Sequence, residues 1–395
     1  MPINNRKIMM NSFKNKRIWL RLVRKRHNRR IRCESRKKIR RKKFLNLALE
    51  EKRLKKLGVE SVHAPAILAL APHKLDSDNS YNSEHTQFVE FKDKLELAAL
   101  NASQKPEKWL MISFTKTYAL YADACILLMA TLDSIKHRYP DLRFIVKRPD
   151  KNLHKRPNKD KHQQFFVDAV FCHIGLYKLL GLTYCNNTIH RNVQSWHYVY
   201  SDQADGDVTD PIFDKLEAMG MANLSELYGS VIESIANAME HAYNPDIATE
   251  RQFPVHRWWM LMAKMDDKLR LLICDLGHGI PNTLRENKEE GVLQEVFKLV
   301  FSLLKREMKS DSADILASTL IKETRTKLAY RGKGGKDLKY FIEQMPESNM
   351  MIHSNRGSYR YSNGKLNATV YDNPKSINGT LITWSMPIAE DHKEE

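Results

Sequence analysis

The chain has little cysteine, and its five cysteines (Cys33, Cys125, Cys172, Cys185 and Cys274) show no paired spacing. That excludes a secreted disulfide framework and fits a reducing compartment. No apolar run reaches the ~18–20 residues a membrane helix needs. No apolar stretch ending in small residues marks a secretory leader either. The expectation is a cytoplasmic protein with no membrane partner. Acidic residues are scarce in the first 60 positions, which hold 23 Lys or Arg against four Glu. The rest of the chain holds 42 basic and 43 acidic residues, so the whole excess of +18 sits on one end. A global pI near 9.5 therefore describes the arm and not the remainder.

Apolar and aromatic residues are also scarce in that arm, so it cannot build a core alone. Its basic runs are Arg24, Lys25, Arg26, Arg29, Arg30, Arg36, Lys37, Lys38, Arg40, Arg41, Lys42 and Lys43. Such density is the electrostatic footprint of a nucleic-acid partner, RNA or DNA. With only Phe13, Trp19 and Phe44 to stack on bases, little sequence preference is expected. Residues 61–104 read as a linker or irregular region, because Asp76 to Thr86 is rich in Ser, Asn and Asp.

From residue 105 the pattern is that of a folded layer. Trp109 to Phe114 and Phe144 to Val146 are short apolar runs of the buried-strand kind. Between them Ala124, Leu127, Leu128, Thr131 and Ile135 recur at helical spacing, stopped by Pro140. Phe166, Val170, Ile174 and Tyr177 predict a second helix, with Gly181 beyond it. Strand, helix, strand, helix over 105–200 implies a small α/β layer. A basic loop, Lys147 to Lys161, interrupts it with seven Lys or Arg against two Asp. The pattern resembles a STAS domain, the fold of anti-sigma factor antagonists.

Residues 205–390 carry the chemistry. A helix from Leu224 has an apolar stripe of Leu227, Val231, Ile235 and Met239, and Asn223 with Glu226 is spaced as a capping box. Glu233, Asn237 and His241 fall on another face of it. An amide oxygen suits Mg²⁺, and a carboxylate can take a proton from attacking water. A hairpin, Trp258 to Met265 and Leu269 to Asp275, turns at Asp266 and Asp267 and delivers Asp275 into the sequence DLGHGI. Its Gly277 and Gly279 permit close backbone approach to a ligand. A segment of helical character follows to ~330. Then Arg331, Gly332, Lys333, Gly334, Gly335 and Lys336 precede a helix carrying Leu338, Phe341, Ile342 and Met345. Glycine-rich amides at a helix start bind anions, and this is not a Walker loop, since GxxxxGK[ST] is missing.

These pieces, in this order, resemble the gyrase B, heat-shock chaperone, histidine kinase and MutL (GHKL) superfamily of ATP-binding domains. Glu233 to Ala242, ESIANAMEHA, is similar to its asparagine box, and Asp275 to Ile280 to its first glycine box. Gly332, Gly334 and Gly335 are similar to the second, and Asn378 to Trp384, NGTLITW, to its closing glycine-threonine strand. The resemblance implies an α+β fold: a GHKL-type α/β sandwich (Bergerat fold), preceded by the STAS-like α/β domain and the basic arm. It implies ATP and Mg²⁺ as ligands, with Asn237 holding Mg²⁺ and Asp275 anchoring adenine. Gly277 and Gly279 would shape the base pocket. Arg331, Gly332, Lys333, Gly334 and Gly335 would face the phosphates, with His241 and Thr380 also at the nucleotide and Glu233 as general base. Three functions remain open: an ATPase switch acting on a protein partner, a serine or histidine protein kinase of the anti-sigma type, or a non-hydrolysing nucleotide sensor bound to nucleic acid.

Overall fold

The computed structural model describes residues 52–54, 56–70, 81–150, 167–185, 195–265, 268–286, 310–326, 338–363 and 368–388, with isolated positions at 25, 34, 49, 193, 296, 298–300 and 302. Residues 1–59 and 60–395 separate into two units. In the first, residues 52–54 and 56 are helical, and Leu57 N donates to Arg53 O at 3.1 Å.

The second unit is α+β. Its centre is a seven-stranded, wholly antiparallel sheet in the order β11-β10-β9-β12-β8-β7-β6. The strands are β6 (His197–Ser201), β7 (Trp258–Met265), β8 (Lys268–Asp275), β9 (Asn349–Ser354), β10 (Gly357–Ser362), β11 (Thr369–Asp372) and β12 (Thr380–Pro387). Strand β7 is apolar at almost every position because both sheet faces are buried. Trp258, Met260 and Met262 point into one core with Leu227, Val231 and Ile235 of the helix α6 (Leu224–Glu240). Trp259, Leu261 and Ala263 point into the other. Side chains alternate along a strand, so the two tryptophans fill opposite cores and neither is exposed.

The second face packs against helix α2 (Ala122–Arg138), and the same core takes in helix α1 (Tyr81–Ser103) and a parallel three-stranded sheet. That sheet runs β1 (Glu60–His63), β3 (Trp109–Ser113), β5 (Arg143–Lys147). A two-stranded pair, β2 (Ile67–Leu68) with β4 (Ala119–Leu120), extends this layer. The expected β3-α2-β5 unit is present with both strands parallel. Two expectations are corrected. Residues 61–104 are no linker: they hold nearly all of β1, then β2, and the 23-residue α1, whose Phe88, Phe91, Leu95, Ala98, Ala99 and Ala102 are buried. No boundary falls near 200–205, because β6 belongs to the large sheet and one core cluster spans both segments.

The helix expected from Phe166 is split into α3 (Val167–His173) and α4 (Leu176–Leu179). Downstream lie α5 (Asp210–Ala218), α7 (Ile280–Glu286), α8 (Asp311–Thr326) and α9 (Tyr340–Gln344). Among the described residues no helix is long and apolar enough to cross a membrane.

Candidate nucleotide site

Helix α6 lies against the sheet with its apolar stripe inward, which leaves Asn237 at its C-terminal end beside the last residue of β8 and the first of β12. The expected capping box is not formed. Asn223 has φ 57°, and its side chain makes no cap hydrogen bond. Capping needs an extended N-cap backbone, which aims the side chain at the free amides. Instead Asn223 Nδ2 reaches Gln344 O at 3.5 Å.

One turn apart on α6, Asn237 Nδ2 donates to Glu233 O at 2.6 Å and to Glu233 Oε1 at 3.2 Å. Both bonds use the amide nitrogen, so Oδ1 is the group left to face a cation. Asn237 and His241 line a cavity of about 250 Å³ together with Asp275, Gly279 and Thr380. Five residues picked from three separate sequence motifs therefore meet around one space.

Asp275 ends β8 opposite Thr380 of β12. Its Oδ1 accepts from Gly277 N at 2.9 Å, and Thr380 also hydrogen-bonds to it. Burial outweighs those bonds and pushes the carboxyl up to about 6. Thr380 Oγ1 lies 3.0 Å from Ser354 Oγ, which in turn accepts from Ile280 N at 2.8 Å. Asp275 and Thr380 at the cavity wall thus belong to one connected polar chain that continues to Ser354 of β9.

The two glycines of the loop have distinct reasons. A Cβ on Gly277 would lie 2.1 Å from Ala242 O, so only glycine lets the loop pass the end of α6. Gly279 has φ 81°, and a Cβ there would strike the Asn355 amide at 2.7 Å. Between them His278 is buried: its N donates to Ala242 O at 2.7 Å, and its Nε2 lies 3.0 Å from Asn244 O. Burial lowers its basicity below the usual histidine range.

Glu233 touches Asn237 at the edge of this group rather than lining the cavity. Arg331, Gly332, Lys333, Gly334 and Gly335 lie outside the described residues, as does the Asp266–Asp267 turn. Of the basic arm's singled-out residues only Lys25 is described, helical and exposed. The cavity also takes Ser234, which lies inside the Glu233 to Ala242 motif without having been singled out, and Asn244, Thr283, Ser318 and Thr319, which lie outside every motif. Ser318 and Thr319 belong to α8, a helix with no motif of its own, and only the tertiary fold brings it here.

Among the described residues no group of three or more His, Cys, Asp or Glu could hold a metal ion. No protein-family model matches the chain, and no curated protein or solved structure matches it.

Proposed function

We propose that this protein is an ATP- and Mg²⁺-dependent ATPase of the GHKL type, working as a regulatory switch and associated with nucleic acid through residues 1–60. The observation that carries this reading is the buried carboxylate of Asp275. It faces a cavity of heterocycle size whose rim bears Asn237. A buried carboxylate to which no cationic side chain is bonded among the described residues is costly. An adenine amino group is a donor that would satisfy it. Thr380, bonded to both Asp275 and Ser354, holds the acceptor in place.

Asn237 offers Oδ1 to Mg²⁺, since its nitrogen is engaged by Glu233. When bound, Mg²⁺ supplies charge neutralisation on the phosphates. Glu233, held by Asn237 at one carboxylate oxygen, is placed to accept a proton from water attacking the terminal phosphate. His241, exposed at the end of α6, is left to the phosphate side. Phosphate contacts from Arg331 and Lys333, which the resemblance implies, would couple nucleotide state to a partner.

The test is ATP turnover and ATP binding measured together in wild type and Glu233→Ala. Turnover lost with binding kept supports the ATPase. Unchanged turnover removes Glu233 from the role of base.

A further inference from the structure

Arg251 lies outside the cavity, in the stretch between α6 and β7, yet it is bonded to both turns that carry the cavity's polar end. Its Nη1 donates to Gly277 O at 2.7 Å, and its Nη2 donates to Leu276 O at 3.0 Å and to Asn378 O at 3.1 Å. The first two carbonyls follow Asp275, and the third precedes Thr380 by two residues. One planar guanidinium therefore staples the glycine loop to the β12 turn, with Asp275 and Thr380 between them. Its face rests on the Phe253 ring, 5.1 Å from the centroid. Phe253 meets His278 edge to face at 4.8 Å and Tyr243 at 5.6 Å. Tyr243 closes the circuit, because its hydroxyl accepts from Leu276 N at 3.1 Å. Three backbone carbonyls from two distant segments on one side chain have no counterpart elsewhere among the described hydrogen bonds of this loop.

The geometry points to Arg251 as a positioning residue for base selectivity: it fixes the separation of the two turns, and through them the orientation of the Asp275 carboxylate, without touching the base. The inference rests on the nucleotide reading above. A carboxylate discriminates adenine from guanine because adenine presents an amino donor where guanine presents a carbonyl acceptor. That discrimination holds only if the carboxylate cannot turn away or admit water. The Arg251 staple removes that freedom from the backbone side. Phosphate binding, by contrast, draws on Asn237 and the end of α6, to which Arg251 makes no hydrogen bond among the described residues.

The experiment is calorimetric binding of ATP, GTP and inorganic tripolyphosphate, each with Mg²⁺, to the full chain as wild type, Arg251→Lys and Arg251→Ala. For Arg251→Ala the expected loss is about tenfold in ATP affinity, with GTP and tripolyphosphate within about threefold, so the ATP/GTP ratio collapses. Arg251→Lys keeps the charge but cannot span both turns, and it should fall between the two. An unchanged ATP/GTP ratio in Arg251→Ala overturns the proposal, as does equal weakening of all three ligands, which is the mark of general loosening. If Arg251→Ala does not fold, Arg251→Lys carries the same comparison, and an unchanged ratio there overturns it. A wild type that binds no ATP sinks the nucleotide reading and this inference together. A wild type that prefers ATP, with the preference kept in the variants, sinks the positioning role alone.

Discussion

Arg257 Nη1 donates to Asp133 Oδ2 at 2.7 Å, with the Asp133 side chain 2% exposed. The same oxygen accepts from Trp259 Nε1 at 3.0 Å. Asp133 stands on α2, and Arg257 and Trp259 on or beside β7, so this bond ties the parallel layer to the large sheet. Removing Asp133 leaves the buried Arg257 with only the exposed Asp202, 3.8 Å away, as a carboxylate partner among the described residues.

Asp133→Ala should therefore destabilise the protein by about 3–5 kcal/mol, read from chemical denaturation. A change below about 1 kcal/mol would show that the two layers hold together without this contact.

The strands around the site were legible because each obeys a simple local rule. Trp258 to Asp275 reads as an apolar hairpin, and the hairpin forms over those residues. The same continuous apolar run could have told that both faces are covered, since a half-exposed antiparallel strand alternates. It could not tell what covers the second face. Helix α1 was masked by its polar entry, Asp76 to Thr86, although Phe88, Phe91, Leu95 and Ala98 already stand at helical spacing. The capping box failed because the Asn223 backbone is set by tertiary packing, not by the pair of residue types. Asn237, Asp275 and Thr380 were legible from motif order. Arg251 was not, because an isolated arginine bonded to backbone carbonyls leaves no sequence pattern.

Acid should loosen the core through two histidines. His85 and His353 are each 2% exposed; neither ring nitrogen of His85 nor Nε2 of His353 has a hydrogen-bond partner among the described residues. Burial lowers each to about 4 from an ordinary value of 6.5. The unfolded chain then binds the extra protons, so the stability they allow is complete above pH ~6.5 and is lost as pH falls towards 4. The loss reaches on the order of 3 kcal/mol per histidine. Asp275 acts in the opposite sense, its contribution being lost as pH rises through about 6, so variants must be compared. The melting temperature of His85→Leu should fall less than that of wild type between pH 6.5 and 4.5. Parallel curves would contradict this.

Residues 1–60 carry +19, a charge gathered on one segment beside a near-neutral remainder. Deleting them should abolish binding to a short duplex or hairpin and leave ATP affinity unchanged. With the full chain, log affinity should fall by about 0.7–0.9 per phosphate contact per log unit of salt. Undiminished binding by the truncated protein would move the contact elsewhere, first to the basic loop Lys147 to Lys161.

In the proposed nucleotide site Asp275 would anchor an adenine base. Isothermal calorimetry of Mg-ATP with wild type and Asp275→Asn at neutral pH tests it most directly. Measurable binding to wild type is expected, with a loss of about 1.5–3 kcal/mol in the variant, the worth of a hydrogen bond to a charged acceptor. Equal ATP affinity in the two proteins, or none in the folded wild type, would contradict it.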